Sequence, residues 1–155
     1  MAGGFSIAAE KISELHQFFC KNLAEKITEI NAKRNREFAD VLELPQVNLE
    51  LIKELAKLEP YGNGNPRPKF ILRDVRKVKA NLVGEKKDHI SCVFSASSAV
   101  GFSGNIQAIA FRAAQTPLAE ILLNSNKSLD LVGTFNINSW MGVEKAQMII
   151  EDVLV

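Results

Sequence analysis

Ile106-Gln-Ala-Ile-Ala-Phe-Arg112, Thr116-Pro-Leu-Ala-Glu-Ile-Leu-Leu-Asn124 and Ser128-Leu-Asp-Leu-Val-Gly-Thr-Phe-Asn-Ile-Asn-Ser-Trp140 follow one another with three residues between each pair. The outer two segments carry apolar side chains at every second position, the period of a strand with one buried face. The middle one opens on Thr116-Pro117, a capping residue followed by a proline that tolerates the first helical position, so it reads as a short helix. Before this unit, Lys69–Val83 is a long basic run with several β-branched residues. Gly84-Glu-Lys-Lys-Asp88 turns, and His89–Ser95 alternates with Ile90, Cys92 and Phe94 on one face. Ser95–Gly104, rich in Ser and Gly, is a loop. After the unit, Met141–Glu144 turns and Lys145–Val155 is a last strand.

The resulting order is β-β-β-α-β-β. Five strands with one helix between the third and fourth is the chain order of an OB-fold barrel. A small β-sandwich with a stray helix gives a similar pattern, but the position of the helix favours the barrel. Leu129, Leu131, Gly133, Phe135 and Ile137 should then face inward, with Asn136, Asn138 and Trp140 outward.

The barrel is preceded by Leu58-Glu-Pro-Tyr-Gly-Asn-Gly-Asn-Pro-Arg-Pro-Lys-Phe70. Flexible linkers are rich in Gly and Ser, whereas here Pro60, Pro66 and Pro68 fix φ while Gly62 and Gly64 permit positive φ. With Tyr61, the sole tyrosine, and Asn65, this is a shaped connector between two modules. Upstream of it, Asn48 caps a helix over Leu49–Leu58, and Phe38–Pro45 is a short strand. From about Ala8, Ile12, Leu15, Phe19, Leu23, Ile27 and Ile30 recur at helical steps, an amphipathic helix of roughly 24 residues, about 36 Å long. The expected class is α+β: an N-terminal helical, partly α/β segment, then a five-stranded OB barrel. The expected divisions are 1–47 for the helix and strand, 48–68 for the second helix and connector, and 69–155 for the barrel.

A net charge of +1 makes no global case for nucleic acid or membrane. The charge is uneven, however: Lys69–Ile90 holds seven Lys/Arg against three Asp/Glu. No segment has the length and apolarity of a membrane span, and no signal sequence opens the chain, so a cytoplasmic protein without membrane contact is expected. Cys20 and Cys92 lie in apolar contexts without partners at metal or redox spacing, as reduced thiols do.

Catalytic patterns are missing. His16 and His89 lie far apart and suit surface or packing roles, and neither a nucleophile elbow nor a phosphate-binding glycine loop occurs. Binding is the better prospect. Arg73, Arg76, Lys77 and Lys79 crowd the first barrel strand. Without a bulge, alternation puts Arg73, Lys77 and Lys79 on one face and Arg76 on the other. Such a strand is either a solubilising edge or one wall of a groove that tracks phosphates. Arg112 ends the third strand and Lys145 begins the fifth. With Asn136, Asn138 and Trp140 they complete the candidate nucleic-acid-binding set, Trp140 suiting either rim packing or base stacking. Phe111 is expected in the core.

The connector resembles the L-x-P-[FY]-G-x-G-N-P-x-P-x-F element of the RecJ family, bacterial single-stranded-DNA-specific exonucleases among the DHH phosphoesterases. Phe135-Asn-Ile-Asn-Ser-Trp-Met-Gly142 with Gln147-Met-Ile-Ile-Glu-Asp-Val153 is similar to that family's ending, and Ile109-Ala-Phe111 to its third barrel strand. The opening Met1-Ala-Gly-Gly-Phe-Ser-Ile7 resembles the tail of the glycine motif of the DHHA1 domain, with Gly3 in place of the usual Ala.

The resemblance implies that 1–47 ends a DHHA1 domain and that the chain is the C-terminal part of a longer enzyme. It also implies that Mn²⁺ or Mg²⁺ belongs to an absent DHH domain, with no catalytic residue, metal ligand or cofactor carried here. It implies single-stranded DNA as partner and a 5′-to-3′ exonuclease of DNA repair and recombination as parent. The alternatives are an OB module that docks single-strand-binding protein or other recombination proteins, or one that only caps the catalytic core. The chain is expected to be a monomer, or a dimer through the apolar stripe of its first helix.

Overall fold

Alternation of apolar and polar side chains from Phe70 onward builds one long strand, and the other strands assemble around it. A computed structural model of the chain describes residues 4–32, 37–97 and 103–154. Residues 1–3 of the glycine opening, 98–102 of the Ser/Gly loop, Val155 and the side chain of Ile30 lie outside them. Two compact units result, Met1–Arg36 and Glu37–Val155.

The first unit holds a 3₁₀ turn, Ala9–Lys11, and helix α1, Ile12–Ala32. Within this unit Ile12, Phe19, Leu23 and Ile27 of the expected stripe are exposed. The ring of His16 approaches Cys20 Sγ at 3.7 Å one turn along.

The second unit comprises strands β1 (Asp40–Glu43), β2 (Phe70–Val83), β3 (His89–Ala96), β4 (Asn105–Ala110), β5 (Ser128–Trp140) and β6 (Val143–Leu154), with helices α2 (Leu49–Ala56) and α3 (Pro117–Asn124). The strand order is β1-β2-β3-β4-β6-β5, and β5 also pairs with β2. That last pairing closes β2, β3, β4, β6 and β5 into the five-stranded OB ring, with α3 between the third and fourth of its strands. The sheet begins earlier than residue 69: β1 adds in parallel beside the start of β2, from Asp40↔Phe70 to Glu43↔Arg73. Pro45 ends it in a 3₁₀ turn, Leu44–Gln46.

Inward-facing side chains fill the ring. Leu72, Val75, Ile90, Phe94, Leu131 and Met148 are fully buried, and the rings of Phe70 and Phe135 meet 5.5 Å apart. At about 25 cal/mol per Å² of apolar surface, each such side chain contributes about 1.5–3 kcal/mol to burial. Helix α2 lies against β5 and β6 with Ile52 buried, while Leu58, expected as its last residue, is exposed beyond the helix end. Asn48 Oδ1 caps α2 by accepting the Leu51 N–H at 2.8 Å. Thr116 takes the extended conformation of a cap for α3, yet its hydroxyl donates to the Ala113 carbonyl and caps no helix N–H.

The connector is docked. Gly62 and Asn65 exchange backbone hydrogen bonds of 2.9 and 3.1 Å, and Asn65 Nδ2 donates to the carbonyls of Leu58 and Pro60. Tyr61 Oη donates to Leu55 O at 2.6 Å, and the Arg67 guanidinium sits 4.7 Å over the Tyr61 ring while reaching Glu59 at 3.1 Å. Of the two glycines, Gly64 alone uses positive φ, at 90°. Pro60 and Pro66 flank this turn.

Candidate nucleic-acid interface

The register between strands fixes which side chains share the outside of the ring. Lys79 pairs with Val93, Val93 with Gln107, Gln107 with Gln147, and Gln147 with Asn136. One row therefore crosses all five strands on the outer face. A neighbouring row carries Arg76, Ser95 and Asn105, and the Asn138↔Lys145 and Trp140↔Val143 pairs extend the same face along the β5–β6 hairpin. Trp140 is 73% exposed at the hairpin tip. Asn136 Oδ1 is buried and accepts no hydrogen bond among the described residues.

Two bulges in β2 change the expected phase of its cations. Asp74 adopts φ 49°, and its N–H donates to Asp130 Oδ1 at 2.8 Å, which holds the first bulge. The second lies between Lys77 and Lys79. Each extra residue reverses the alternation. Arg73, Arg76 and Lys79 therefore face outward together, and Lys77 turns in. Its partner across the ladder is the buried Phe94, and its ammonium donates to the Leu123 carbonyl near the end of α3. The expectation that Lys77 shares a face with Arg73 and Lys79, with Arg76 opposite, is corrected accordingly. Arg73 also lies 3.9 Å from Asp130, which offsets part of its charge.

Burial pushes the Cys92 thiol up to about 11, with the Lys77 ammonium pulling the other way. The thiol is held neutral in the core and offers neither a nucleophile nor a metal ligand at ordinary pH.

A feature absent from the sequence expectations lies at the opposite end of the face from Trp140. Phe111, expected in the core, is 52% exposed because β4 ends at Ala110 and the chain turns outward at Arg112, φ 51°. Its ring meets His89 edge-on, centroids 5.3 Å apart, and His89 Nδ1 accepts the Arg112 N–H at 2.9 Å. Gly84, at φ 91°, lets the β2–β3 turn close on this ring: a Cβ there would come within 3.2 Å of His89 Cδ2. The two-residue phase of Gln107 and Ile109, carried on to 111, was the available signal.

A protein-family model described as the RecJ OB domain matches residues 40–152. The chain belongs to the RecJ OB-domain family. It is 26% identical, over its whole length, to the single-stranded-DNA-specific exonuclease RecJ of Bacillus subtilis (strain 168), of which it covers 19%. Crystal structures of Thermus thermophilus RecJ, in complexes with Mn²⁺ and with Mg²⁺, share its fold. Both superpose with a TM-score of 0.53 at 21% identity, over 90% and 88% of this chain and 19% and 20% of theirs. The chain thus spans about a fifth of the length of these relatives. Among the described residues no three His, Cys, Asp or Glu side chains could together hold a metal ion. Nor, among them, is any helix long and apolar enough to cross a membrane.

Proposed function

We propose that this chain is the strand-guiding part of a RecJ-like single-stranded-DNA exonuclease, a cytoplasmic enzyme of DNA repair and recombination. Hydrolysis would belong to the rest of the longer protein, where Mn²⁺ or Mg²⁺ would be held, and this chain would hold and guide the strand. The reading rests on the outer row from Lys79 to Asn136, which joins one cation, two glutamines and an asparagine into a path across the ring. Arg76 and Lys145 stand in the next row, on the side toward Trp140, which lies four residues along β5 from Asn136. Amide and cationic side chains meet phosphates and sugars without reading sequence, and an exposed indole stacks on any base.

Titration of the chain with fluorescently labelled oligo-dT over a series of salt concentrations tests this. Affinity should fall with salt, with a log–log slope of about −0.7 for each phosphate neutralised on a single strand. Lys79→Ala and Lys145→Ala should each make the slope shallower by roughly that amount. Binding that is indifferent to salt, or unchanged in both variants, would remove this face as the path.

A further inference from the structure

We infer that Phe111 is a second base-stacking platform, set at the far end of the same face from Trp140 and held there by His89. This rests on the strand-guiding reading and adds a residue to it. The ring projects from the outer side of the barrel in phase with Gln107 and Ile109, half exposed where an apolar side chain gains nothing from solvent. It is nonetheless fixed. His89 backs its edge, and the imidazole is itself pinned by the Arg112 N–H on one side and by the close approach of Gly84 on another. A ring held rigidly with a free surface has little rotamer entropy left to lose when a base stacks on it.

The surroundings of the ring are of mixed charge. Arg112 follows Phe111 directly, and the β2–β3 turn that carries Lys86 and Lys87 abuts this corner through the Ala114 N–H to Asp88 O bond at 3.2 Å. Glu85 and Asp88 lie in the same turn, and Asp88 Oδ1 is 3.5 Å from His89 Nδ1. Glu151, paired with Lys69, and Asp152 line the cavity beside Phe111 and Arg112. The corner therefore carries no excess of positive charge, and stacking, not phosphate attraction, must supply its contact.

The spacing is also that of one strand lying along the face. Trp140 pairs with Val143, four residues before Gln147; Gln147 pairs with Gln107, four residues before Phe111. At about 3.4 Å per residue the two platforms stand about 27 Å apart along the strands. That is compatible with the 4–16 nucleotides, roughly, that a single OB barrel occupies. Between them lie Ile109 and Ile149, paired and partly buried, as an apolar floor.

The test uses the whole chain and oligo-dT of about four and about twelve nucleotides, followed by fluorescence anisotropy. Phe111→Ala should weaken the longer oligonucleotide by about 5- to 150-fold and the shorter one less, while Phe111→Tyr, which keeps the ring, stays within about twofold. Since the side chain is exposed, an unchanged melting temperature in Phe111→Ala guards against a folding artefact. In a second variant that combines Phe111→Trp with Trp140→Phe, the single indole at 111 should be quenched as oligo-dT is added.

The inference is overturned if the longer oligonucleotide binds Phe111→Ala as tightly as the parent. It is also overturned if the indole at 111 stays unquenched while anisotropy reports binding. If Lys79→Ala and Trp140→Ala weaken binding and Phe111→Ala does not, the platform alone fails. If the parent chain binds no oligo-dT, the strand-guiding reading fails and the platform with it.

Discussion

Replacing Gly133 with alanine should cost the barrel about 3 kcal/mol or more, a large share of the roughly 5–15 kcal/mol that holds a typical domain folded. Gly133 sits on β5 where the β5–β6 register shifts, opposite Ile150. An ideal Cβ there would lie 1.9 Å from the Ile149 carbonyl oxygen and 2.9 Å from its carbon. Carbon and oxygen in ordinary close contact stay about 3.3 Å apart, so the overlap is roughly 1.4 Å. Both obstructing atoms are backbone, and no side chain can swing aside. The strands must part, and the ladder bonds around Thr134↔Ile149 and Val132↔Asp152 lengthen with them. Overpacking of this kind typically costs about 1–3 kcal/mol, and each hydrogen bond weakened adds about 0.5–1.5 kcal/mol. For a unit of this size the melting temperature should fall by about 10 °C or more, read by circular dichroism or scanning calorimetry. Gly142→Ala is the control: it has φ 78° and nothing within 4 Å, so it should lose only the roughly 1–2 kcal/mol of a left-handed backbone. A Gly133→Ala variant melting within about 2 °C of the parent would show that β5 and β6 do not approach as described.

Lys77→Met removes the ammonium that meets the Leu123 carbonyl and should cost about 1 kcal/mol of stability while leaving oligo-dT affinity within about twofold. A loss of affinity without a loss of stability would return Lys77 to the outer face. Tyr61→Phe deletes the bond to Leu55 O and should lower stability by about 1 kcal/mol, seen as a shift in the urea midpoint; no shift would mean the connector is not docked through that hydroxyl. Cys92 has its pKa raised in the fold from 9.0 to about 11. The unfolded chain therefore loses this proton first as pH rises, so the thiol's contribution to stability is whole below about pH 9 and gone by about pH 11. Urea titrations across that window should show the decline in the parent and less of it in Cys92→Ala. In native protein at neutral pH, thiol reagents should label the exposed Cys20 well before Cys92.

What the sequence disclosed, and what it hid, divides along local versus cross-strand physics. Ser128–Trp140 runs over the expected residues because Leu129, Leu131 and Phe135 alternate without interruption, and β6 mirrors them with Met148 and Ile150. The cap at Asn48 and the turns at Gly64 and Gly84 were readable because each depends on one residue and its immediate neighbours. The phase of Lys77 was not. It turns on a bulge at Asp74, stabilised by a carboxylate 56 positions away on β5, and on a second beyond Lys77 that only the pairing with β3 reveals. Phe111 was misplaced for a similar reason. An aromatic residue closing an apolar strand suits the core, and the histidine that holds it outward lies 22 positions earlier on another strand. The Gln107–Gln147 contact likewise depends on a parallel pairing between the third and fifth barrel strands, which carries no local signature.

These displaced residues change the character of the face. Had the four cations of β2 followed simple alternation, three would have stood on one side, an electrostatic rail. The bulges instead leave Arg73 partly offset by Asp130, spend Lys77 on the end of α3, and keep Arg76 and Lys79 at the margin of a surface whose centre is Gln107, Gln147 and Asn136. Under the strand-guiding proposal, uncharged amides would give a strand many weak, exchangeable contacts, and the proposed platforms at Trp140 and Phe111 would tolerate every base. A path built this way holds a passing strand loosely along its length. Such a path would let a proposed strand advance, and a net charge of only +1 accords with it better than with a tight phosphate clamp.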